Sequence, residues 1–373
     1  MALVLNQEQD MLRESALQFM KERAPVAQLR GLRDSRGDDG FSRATWASFA
    51  EMGFTGVLVP EEYGGLGLGM VEAGAIMEAI GRNLTAVPFF STAVLGAALL
   101  ARHGSTTQQA RCLPAIAAGE MVVALAVDES VKHRPEKVAL RAEQDGDGYL
   151  LRGEKLFVVD GHVADQLIVS ARTDEGVTLF LVDGAAAGVR RERSVMVDAH
   201  NAARIVFDGV RVGSDAVIGA VGQGTAPLDA VLDIGRVALA GELLGIAEEV
   251  FERTVVYLKE RRQFGQIIGE FQALQHRASM LYTDIEITRA LVLGAQQALD
   301  DGAPNAAALV SAAKARAGTT ATTAVQEGVQ MHGGIGMTDE FEIGFFMKRA
   351  RVVDELLGDA RFHADRWAAS GAY

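Results

Sequence analysis

The 373-residue sequence predicts an α+β protein in which a helical N-terminal part, a β-rich middle part and a helical C-terminal part follow one another. Apolar residues recur at three- and four-residue spacing before Met121 and again after about Pro227. Between these points the chain consists of short β-rich runs separated by Gly and Asp turns. The length suffices for two or three domains, and we place them at residues 1–120, 121–226 and 227–373.

The N-terminal part begins with the polar residues Asn6-Gln7-Glu8, which favour a helix start. Three further helices are predicted at residues 44–52, 71–81 and 91–103. The glycine-dense segment 59–69 could suggest a nucleotide-binding loop. It lacks the G-x-G-x-x-G spacing and the flanking βαβ pattern, so we interpret it as a turn.

Short strands and then long helices make up the rest of the chain. The strands are predicted at residues 121–127, 138–142, 149–151, 155–159, 166–171, 177–182 and 203–207. The helices are predicted at residues 228–260, 271–300 and 305–331, with a final helical stretch after Gly333-Gly334.

Composition excludes several classes of protein. A net charge of −13 argues against nucleic-acid binding, because no basic stripe is present to neutralise phosphates. No apolar segment reaches the roughly 18 to 20 residues that span a bilayer, and no basic leader precedes one, so we expect a cytoplasmic protein without a membrane partner. The one cysteine, Cys112, excludes an internal disulfide and a cysteine metal cluster, so no metal site is predicted. Cys112 is expected to be a buried apolar filler.

Three motifs in order resemble the acyl-CoA dehydrogenases over nearly the whole chain. They are P-E-E-Y-G-G-L-G at residues 60–67, E-R-R-Q-F-G at 260–265 with F-Q at 271–272, and Q-M-H-G-G-I-G at 330–336. The resemblance implies an N-terminal helical domain, a middle β-barrel domain and a C-terminal four-helix bundle. It also implies a flavoprotein that removes an α-proton and a β-hydride from an acyl-CoA thioester, with electron-transfer flavoprotein as the acceptor.

The resemblance assigns FAD contacts to the C-terminal motifs. In the family these residues reach across a subunit interface to the FAD of the neighbouring protomer; here they are Arg261, Gln263, Phe264, Gln272, Gln330, Gly333 and Gly334. An arginine can fork onto phosphate oxygens, and glycines let the backbone approach the ligand. The alternative interpretation is a solvated helix charge followed by a helix stop.

The catalytic base of the family is missing from both of its known positions. The Tyr-Glu-Gly-Thr segment that carries the glutamate corresponds to Leu356-Leu357-Gly358-Asp359, and the alternative position before Arg236 is Gly235. Neither Leu357 nor Gly235 can take a proton, although the reaction needs a positioned base. Carboxylates that could replace it from displaced positions are Asp359, Glu355, Asp233 and Glu242.

The segments that would hold this chain's own flavin also depart from the family. T-E-P-x-A-G-S-D corresponds to residues 127–134, and W/F-I-T-N corresponds to residues 157–160. The aromatic ring survives as Phe157, which we keep as a cofactor-binding candidate, but two threonines become Val127 and Val159. Each lost hydroxyl removes a hydrogen bond worth roughly 0.5–1.5 kcal/mol. Lys132-His133-Arg134 adds bulk and charge where small residues would lie.

The residues expected to contact a neighbouring subunit's FAD are thus present. The residues expected to contact this chain's own flavin and substrate differ from those of the family. The chain resembles the base-less β subunit of heteromeric bacterial acyl-CoA dehydrogenases of the steroid side-chain or pimeloyl-CoA type. That resemblance implies a catalytic partner subunit, a tetrameric assembly and a role in lipid or steroid β-oxidation. Two alternatives are a self-sufficient homo-oligomeric dehydrogenase with a relocated carboxylate base, and a flavin-free acyl-CoA-binding or scaffold protein.

Overall fold

A computed structural model describes residues 3–371, which form two compact units. The helical unit comprises residues 3–31, 70–85 and 236–371. The sheet unit comprises residues 32–69 and 86–235. The predicted order of helical, β-rich and helical segments is confirmed, whereas the three domain boundaries stay a prediction.

Eleven α-helices lie within residues 3–371. They are α1 (Gln7–Arg23), α2 (Val26–Ser35), α3 (Arg43–Glu51), α4 (Met70–Asn83), α5 (Ala97–His103), α6 (Thr106–Ala117), α7 (Thr225–Glu260), α8 (Gln272–Asp300), α9 (Ala306–His332), α10 (Ile343–Glu355) and α11 (Ala360–Ser370). The predicted helix at 91–103 is π-helical over Phe89–Gly96 before it continues as α5. Helices α2 and α6 were missed, although Ser105 and Gln108 form a capping box that marks the start of α6.

Helix α1 begins where the polar residues predicted it. The Asn6 side chain accepts from the Gln9 amide at 2.9 Å, and the Gln9 side chain accepts from the Asn6 amide at 3.0 Å. This reciprocal capping box satisfies two backbone donors that a helix start leaves without partners.

Glycines bring α4 and α7 to backbone contact within the helical unit. A Cβ on Gly81 of α4 would lie 2.1 Å from the Glu242 carbonyl oxygen of α7. Conversely, a Cβ on Gly245 of α7 would lie 2.0 Å from the Glu78 carbonyl oxygen of α4. The two helices therefore pack more closely than any other residue at these positions would allow.

The sheet unit contains one eight-stranded sheet. Its strands are β1 (Val123–Ala126), β2 (Arg141–Asp145), β3 (Gly148–Val159), β4 (Gln166–Thr173), β5 (Gly176–Asp183), β6 (Val189–Val195), β7 (Asn201–Gly213) and β8 (Val217–Ile218). The strand order is β6-β7-β3-β2-β4-β5-β8, and β1 pairs in parallel with β4. Strand β3 joins two predicted runs, and β6 was missed because its V-R-R-E-R-S-V sequence is charged and partly exposed.

The P-E-E-Y-G-G-L-G motif forms a packed turn in the sheet unit. A Cβ on Gly65 would lie 2.1 Å from the Val59 carbonyl oxygen, and the Leu66 amide donates to the Gly56 carbonyl at 2.9 Å. This close packing agrees with the interpretation of residues 59–69 as a turn.

Cys112 is buried in α6, as predicted. Of the helices within residues 3–371, none combines the length and apolar character needed to cross a membrane.

Candidate functional site

Residues 356–359, here called the Leu357 turn, connect α10 to α11. Leu357 itself adopts a left-handed backbone conformation, with φ +55°. Its carbonyl oxygen accepts from Arg236 Nε at 3.3 Å and from His363 Nε2 at 3.1 Å. Arg236 is only 2% exposed, and its guanidinium lies 5.5 Å from the centre of the Phe362 ring. Two buried side chains, Arg236 and His363, therefore donate to the same backbone carbonyl of the turn.

A buried lysine supports the same turn. Lys314 Nζ on α9 donates to the carbonyls of Val353 at 3.0 Å, Asp354 at 2.9 Å and Gly358 at 3.2 Å. Its side chain is completely buried, and this burial lowers the pKa of Lys314 to about 8. Burial, assisted by the nearby Lys314 and Arg236 charges, lowers the pKa of His363 to about 2, so its ring is neutral.

The two carboxylates nearest in sequence to Leu357 both have structural partners. Glu355 forms a 2.6 Å ion pair with Arg351, one turn earlier in α10. Asp359 caps α11, because its carboxylate accepts from the Phe362 amide at 2.9 Å. These contacts account for both carboxylates structurally, and their role as alternative bases stays a prediction.

The other candidate carboxylates lie on α7. Glu242 is fully buried in the helical unit and accepts from Arg349 Nε at 2.6 Å. Asp233 is also buried, and Gly235 follows it two residues later; both belong to the sheet unit. A buried ion pair such as that of Glu242 has a structural explanation without a proton-transfer role.

The polar groups of residues 127–134 have partners both within the segment and elsewhere in the sheet unit, such as Lys155 Nζ, which donates to the Glu129 carboxylate at 2.7 Å. The Asp128 carboxylate lies 2.9 Å from His133 Nδ1 and accepts from the Arg134 amide at 3.2 Å. Ser130 supplies the only hydroxyl of this segment, and it donates to the Lys132 carbonyl at 2.7 Å. Val127 is 6% exposed, so this position is part of the interior.

The second segment of the sheet unit, residues 157–160, ends β3 in strained backbone. Phe157 has φ +51° and Asp160 has φ +56°. The Phe157 ring is half-exposed, and Ser91 Oγ donates to the Asp160 carboxylate at 2.7 Å. Val159 is half-buried and offers no hydroxyl. The aromatic ring of Phe157 is therefore available, but residues 157–160 lack the hydroxyl that was expected beside it.

The E-R-R-Q-F-G motif forms an exposed hairpin of β9 (Arg262–Gln263) and β10 (Gln266–Ile267). Arg261 precedes β9, and its carbonyl accepts from the Ile268 amide at 2.9 Å. Phe264 is 90% exposed at the tip, with its ring 6.2 Å from that of Phe271. Arg261, Gln263 and the nearby Gln272 are also exposed, so all of these side chains can meet a ligand or another chain.

The Q-M-H-G-G-I-G motif ends α9 and contains Gly333 and Gly334, here called the glycine turn. Gly333 has φ +64° and ψ −141°, a conformation that is essentially restricted to glycine. A Cβ added to either residue would meet nothing within 4 Å. The space above the turn is therefore open, as a cradle for a bound group requires. Gln330, one turn earlier, is exposed.

The hairpin and the glycine turn are linked through Tyr257 and His332. The Tyr257 ring centre lies 4.4 Å from that of His332, and its hydroxyl donates to the His332 carbonyl at 3.3 Å. The Arg261 amide donates to the Tyr257 carbonyl at 2.9 Å. Sequence reasoning missed Tyr257, and also Lys314 and His363, because their partners are distant in sequence.

The residues thus fit one half of an FAD site better than the other. Exposed Arg261 and the open glycine turn suit a diphosphate and the adenosine beside it. The segments at 127–134 and 157–160 contain one hydroxyl between them, and Ser130 already uses it within its own loop. They do not fit a flavin ring that is held by side-chain hydroxyls.

Comparison with known proteins agrees with the fold. The chain matches the acyl-CoA dehydrogenase N-terminal domain over residues 6–120, the middle domain over 131–210 and the C-terminal domain over 222–371. It is 31% identical over 367 residues to the mitochondrial isovaleryl-CoA dehydrogenase of Pongo abelii, an alignment that covers 94% of this chain and 85% of that protein.

Two solved structures show the same architecture along the whole chain. A variant of the Tcur3481-Tcur3483 steroid ACAD gives a TM-score of 0.90 at 31% identity, covering 98% of this chain and 99% of that chain. The ChsE4-ChsE5 complex from Mycobacterium tuberculosis gives a TM-score of 0.91 at 25% identity, covering 100% and 99%. These matches define a flavin-dependent oxidoreductase of the helix–sheet–helix class. The chain belongs to the acyl-CoA dehydrogenase family.

The family membership confirms the predicted fold class, the flavin oxidoreductase class and FAD as the cofactor. The individual site residues and the domain boundaries stay predictions.

Proposed function

We propose that this chain is the non-base subunit of a heteromeric acyl-CoA dehydrogenase and that it completes the FAD site of a catalytic partner. One observation carries the proposal: the Leu357 turn is fully built but lacks a carboxylate at its centre. Arg236, His363 and Lys314 all donate to its carbonyls or to those of the preceding helix end. The turn is not a degraded loop, and the carboxylates beside it have other partners.

The same role is supported by the difference between the segments that fit an FAD and those that do not. Groups for the outer part of an FAD are exposed on the helical unit, where another subunit could use them. Hydroxyls for this chain's own flavin ring are lacking at Val127 and Val159. Under this proposal Arg261 and the glycine turn serve the partner's FAD, and Gln263, Phe264, Gln272 and Gln330 lie around it. Phe157 is retained as a lower-ranked cofactor contact.

The partner would supply the glutamate that removes the α-proton, and the flavin, when bound, accepts the β-hydride. An acyl-CoA of the steroid side-chain type is the substrate we favour, because the Tcur3481-Tcur3483 protein is a steroid ACAD and the ChsE4-ChsE5 assembly is a two-component complex. We further propose electron-transfer flavoprotein as the acceptor, a heterotetramer as the assembly, and domains at residues 1–120, 121–226 and 227–373.

Co-expression tests the proposal directly. The chain would be purified alone and together with a candidate catalytic acyl-CoA dehydrogenase, and the FAD content of each species would be read from its visible spectrum. We expect a colourless lone chain and a yellow complex with about one FAD for every two chains. Arg261→Ala in the complex should release FAD, whereas Arg262→Ala, an exposed neighbour in the same hairpin, serves as the matched control.

The alternatives give different results in the same experiment. A lone chain that binds one FAD per protomer and is bleached by an acyl-CoA would refute the subunit role and favour a self-sufficient homo-oligomer. Asp359→Asn and Glu355→Gln would then identify its base. A complex that forms without bound FAD, and whose formation is indifferent to Arg261→Ala, would favour a flavin-free scaffold or acyl-CoA-binding protein.

A further inference from the structure

The glycine turn is held by an aromatic cluster to which the Q-M-H-G-G-I-G motif contributes only His332. His332, the last residue of α9, is 3% exposed and lies between two rings. Its ring centre is 4.4 Å from that of Tyr257 and 4.7 Å from that of Phe341. Tyr257 and Phe341 are themselves 6.4 Å apart, so the three rings form a closed group. The cluster joins the end of α7, the end of α9 and the segment before α10.

We infer that Tyr257, His332 and Phe341 form a positioning cluster that fixes the glycine turn relative to Arg261, so that both can hold the diphosphate of one FAD. The inference rests on the proposed function, because it assigns these residues to the FAD site that this chain completes. None of the three is proposed to contact the reacting atoms.

The first support is the way the cluster fixes the backbone of the turn. The Tyr257 hydroxyl donates to the carbonyl of His332, the peptide group that leads directly into Gly333. The Gly333 amide donates to the Gln330 carbonyl, so both sides of this peptide group are engaged. Because Gly333 has access to far more conformations than other residues, its unusual φ and ψ need such outside support.

The second support is the fixed link to Arg261. One turn of α7 separates Tyr257 from Arg261, and the Arg261 amide donates to the Tyr257 carbonyl at 2.9 Å. The backbone of Arg261 is therefore joined directly to that of Tyr257. The same residue contacts both halves of the proposed diphosphate site.

The imidazole of His332 gives the third support. Burial lowers the pKa of His332, and its Nδ1 lies 2.7 Å from the Gly328 carbonyl, to which it donates as the neutral tautomer. Nε2 then has no hydrogen-bond partner among the described residues, which is unfavourable for a buried acceptor. A phenylalanine would avoid this cost but would lose the hydrogen bond to Gly328, so this hydrogen bond explains a histidine better than simple filling of space does.

Tyr257→Phe provides the test, because it keeps the ring and removes only the hydroxyl donor. The apo form of the two-subunit complex would be titrated with FAD, and the dissociation constant measured by flavin fluorescence. We expect Tyr257→Phe to weaken FAD binding about 2- to 10-fold, the effect of losing one hydrogen bond. Tyr257→Leu, which also removes the ring, should weaken it further. Tyr149→Phe, a half-buried tyrosine of the sheet unit that packs on Phe180, is the matched control.

The melting temperature and subunit stoichiometry of the apo complex provide the second readout. A positioning role predicts that both stay unchanged in Tyr257→Phe while FAD affinity falls. Unchanged FAD affinity in Tyr257→Phe, alongside the loss caused by Arg261→Ala, would overturn the inference and leave the proposed function intact. A lower melting temperature with unchanged affinity would also overturn it, as ordinary core packing. If Arg261→Ala itself leaves FAD binding unchanged, the proposed function fails and the positioning role fails with it.

Discussion

Replacing Lys314 by methionine tests how the Leu357 turn is stabilised. Methionine has a similar length but no donor, so the carbonyls of Val353, Asp354 and Gly358 lose the contacts they make at 2.9 to 3.2 Å. A buried polar group left without a partner costs about 1–3 kcal/mol, and few single substitutions exceed about 5 kcal/mol. We therefore expect Lys314→Met to lower the free energy of unfolding of the helical unit by about 3–5 kcal/mol at pH 7.

The pKa of Lys314 predicts how the difference in unfolding free energy between wild type and Lys314→Met depends on pH. The pKa of Lys314 falls from 10.5 to about 8 on folding, because burial disfavours the ammonium form. Between these values the unfolded chain binds more protons than the folded protein, so the stability of the wild type rises with pH. The full effect over this interval is about 3 kcal/mol. Lys314→Met has no such group, so the gap between wild type and variant should widen from pH 8 towards pH 10.

Tryptophan fluorescence allows the helical unit to be followed alone. The chain has two tryptophans, Trp46 in the sheet unit and Trp367 on α11, close in sequence to the turn. Urea unfolding in a Trp46→Phe background, at pH 7, 8, 9 and 10, would report the free energy for each protein. Lys21→Met, at an exposed lysine of α1, is the matched control. A gap that stays constant or narrows with rising pH would refute the reasoning that Lys314 is buried as a charged donor.

Three further predictions concern groups around the same helices. Asp359→Ala should destabilise α11 by about 0.5–2 kcal/mol in urea unfolding, whereas Asp359→Asn, which can still cap, should keep most of that stability; equal losses would exclude a capping role. Arg349→Met leaves Glu242 buried without its partner and should cost about 3–5 kcal/mol; a loss near zero would show that the pair is solvated. Gly81→Ala forces a methyl group against the Glu242 carbonyl and should lower the melting temperature, by an amount equivalent to roughly 1–3 kcal/mol or more, while Gly344→Ala, with open space around it, should not.

The sequence predicted those elements whose apolar pattern is strong. Helices α7, α8 and α9 begin and end within a few residues of their predicted bounds, since long runs of apolar residues at helical spacing and Gly breaks mark them. Strand β6 was missed because its alternating arginines and glutamate give no apolar face. Helix α6 was missed because Pro114 and a polar first turn obscure its pattern.

The positions of the candidate site were easier to predict than the buried side chains that hold them in place. An ungapped motif sufficed to place Leu357 where a glutamate was expected, and two glycines sufficed to mark the turn after α9. Nothing in the sequence around Arg236, Lys314 or His363 shows that all three converge on one turn, because more than a hundred residues separate the first from the last. Such convergence is a property of the packed helices.

That convergence bears on why a turn without a carboxylate is built so firmly. Burial of the Lys314 ammonium costs about 3 kcal/mol at neutral pH, and the neutral His363 keeps a buried Nδ1 without a hydrogen-bond partner among residues 3–371. The three hydrogen bonds that Lys314 donates to the end of α10 and to the turn offset this cost in the folded protein. The shape of the Leu357 turn therefore depends on buried polar side chains that donate to its backbone. In the proposed heteromer, this shape would keep α10 and α11 in the family arrangement, against which the base-carrying partner can assemble.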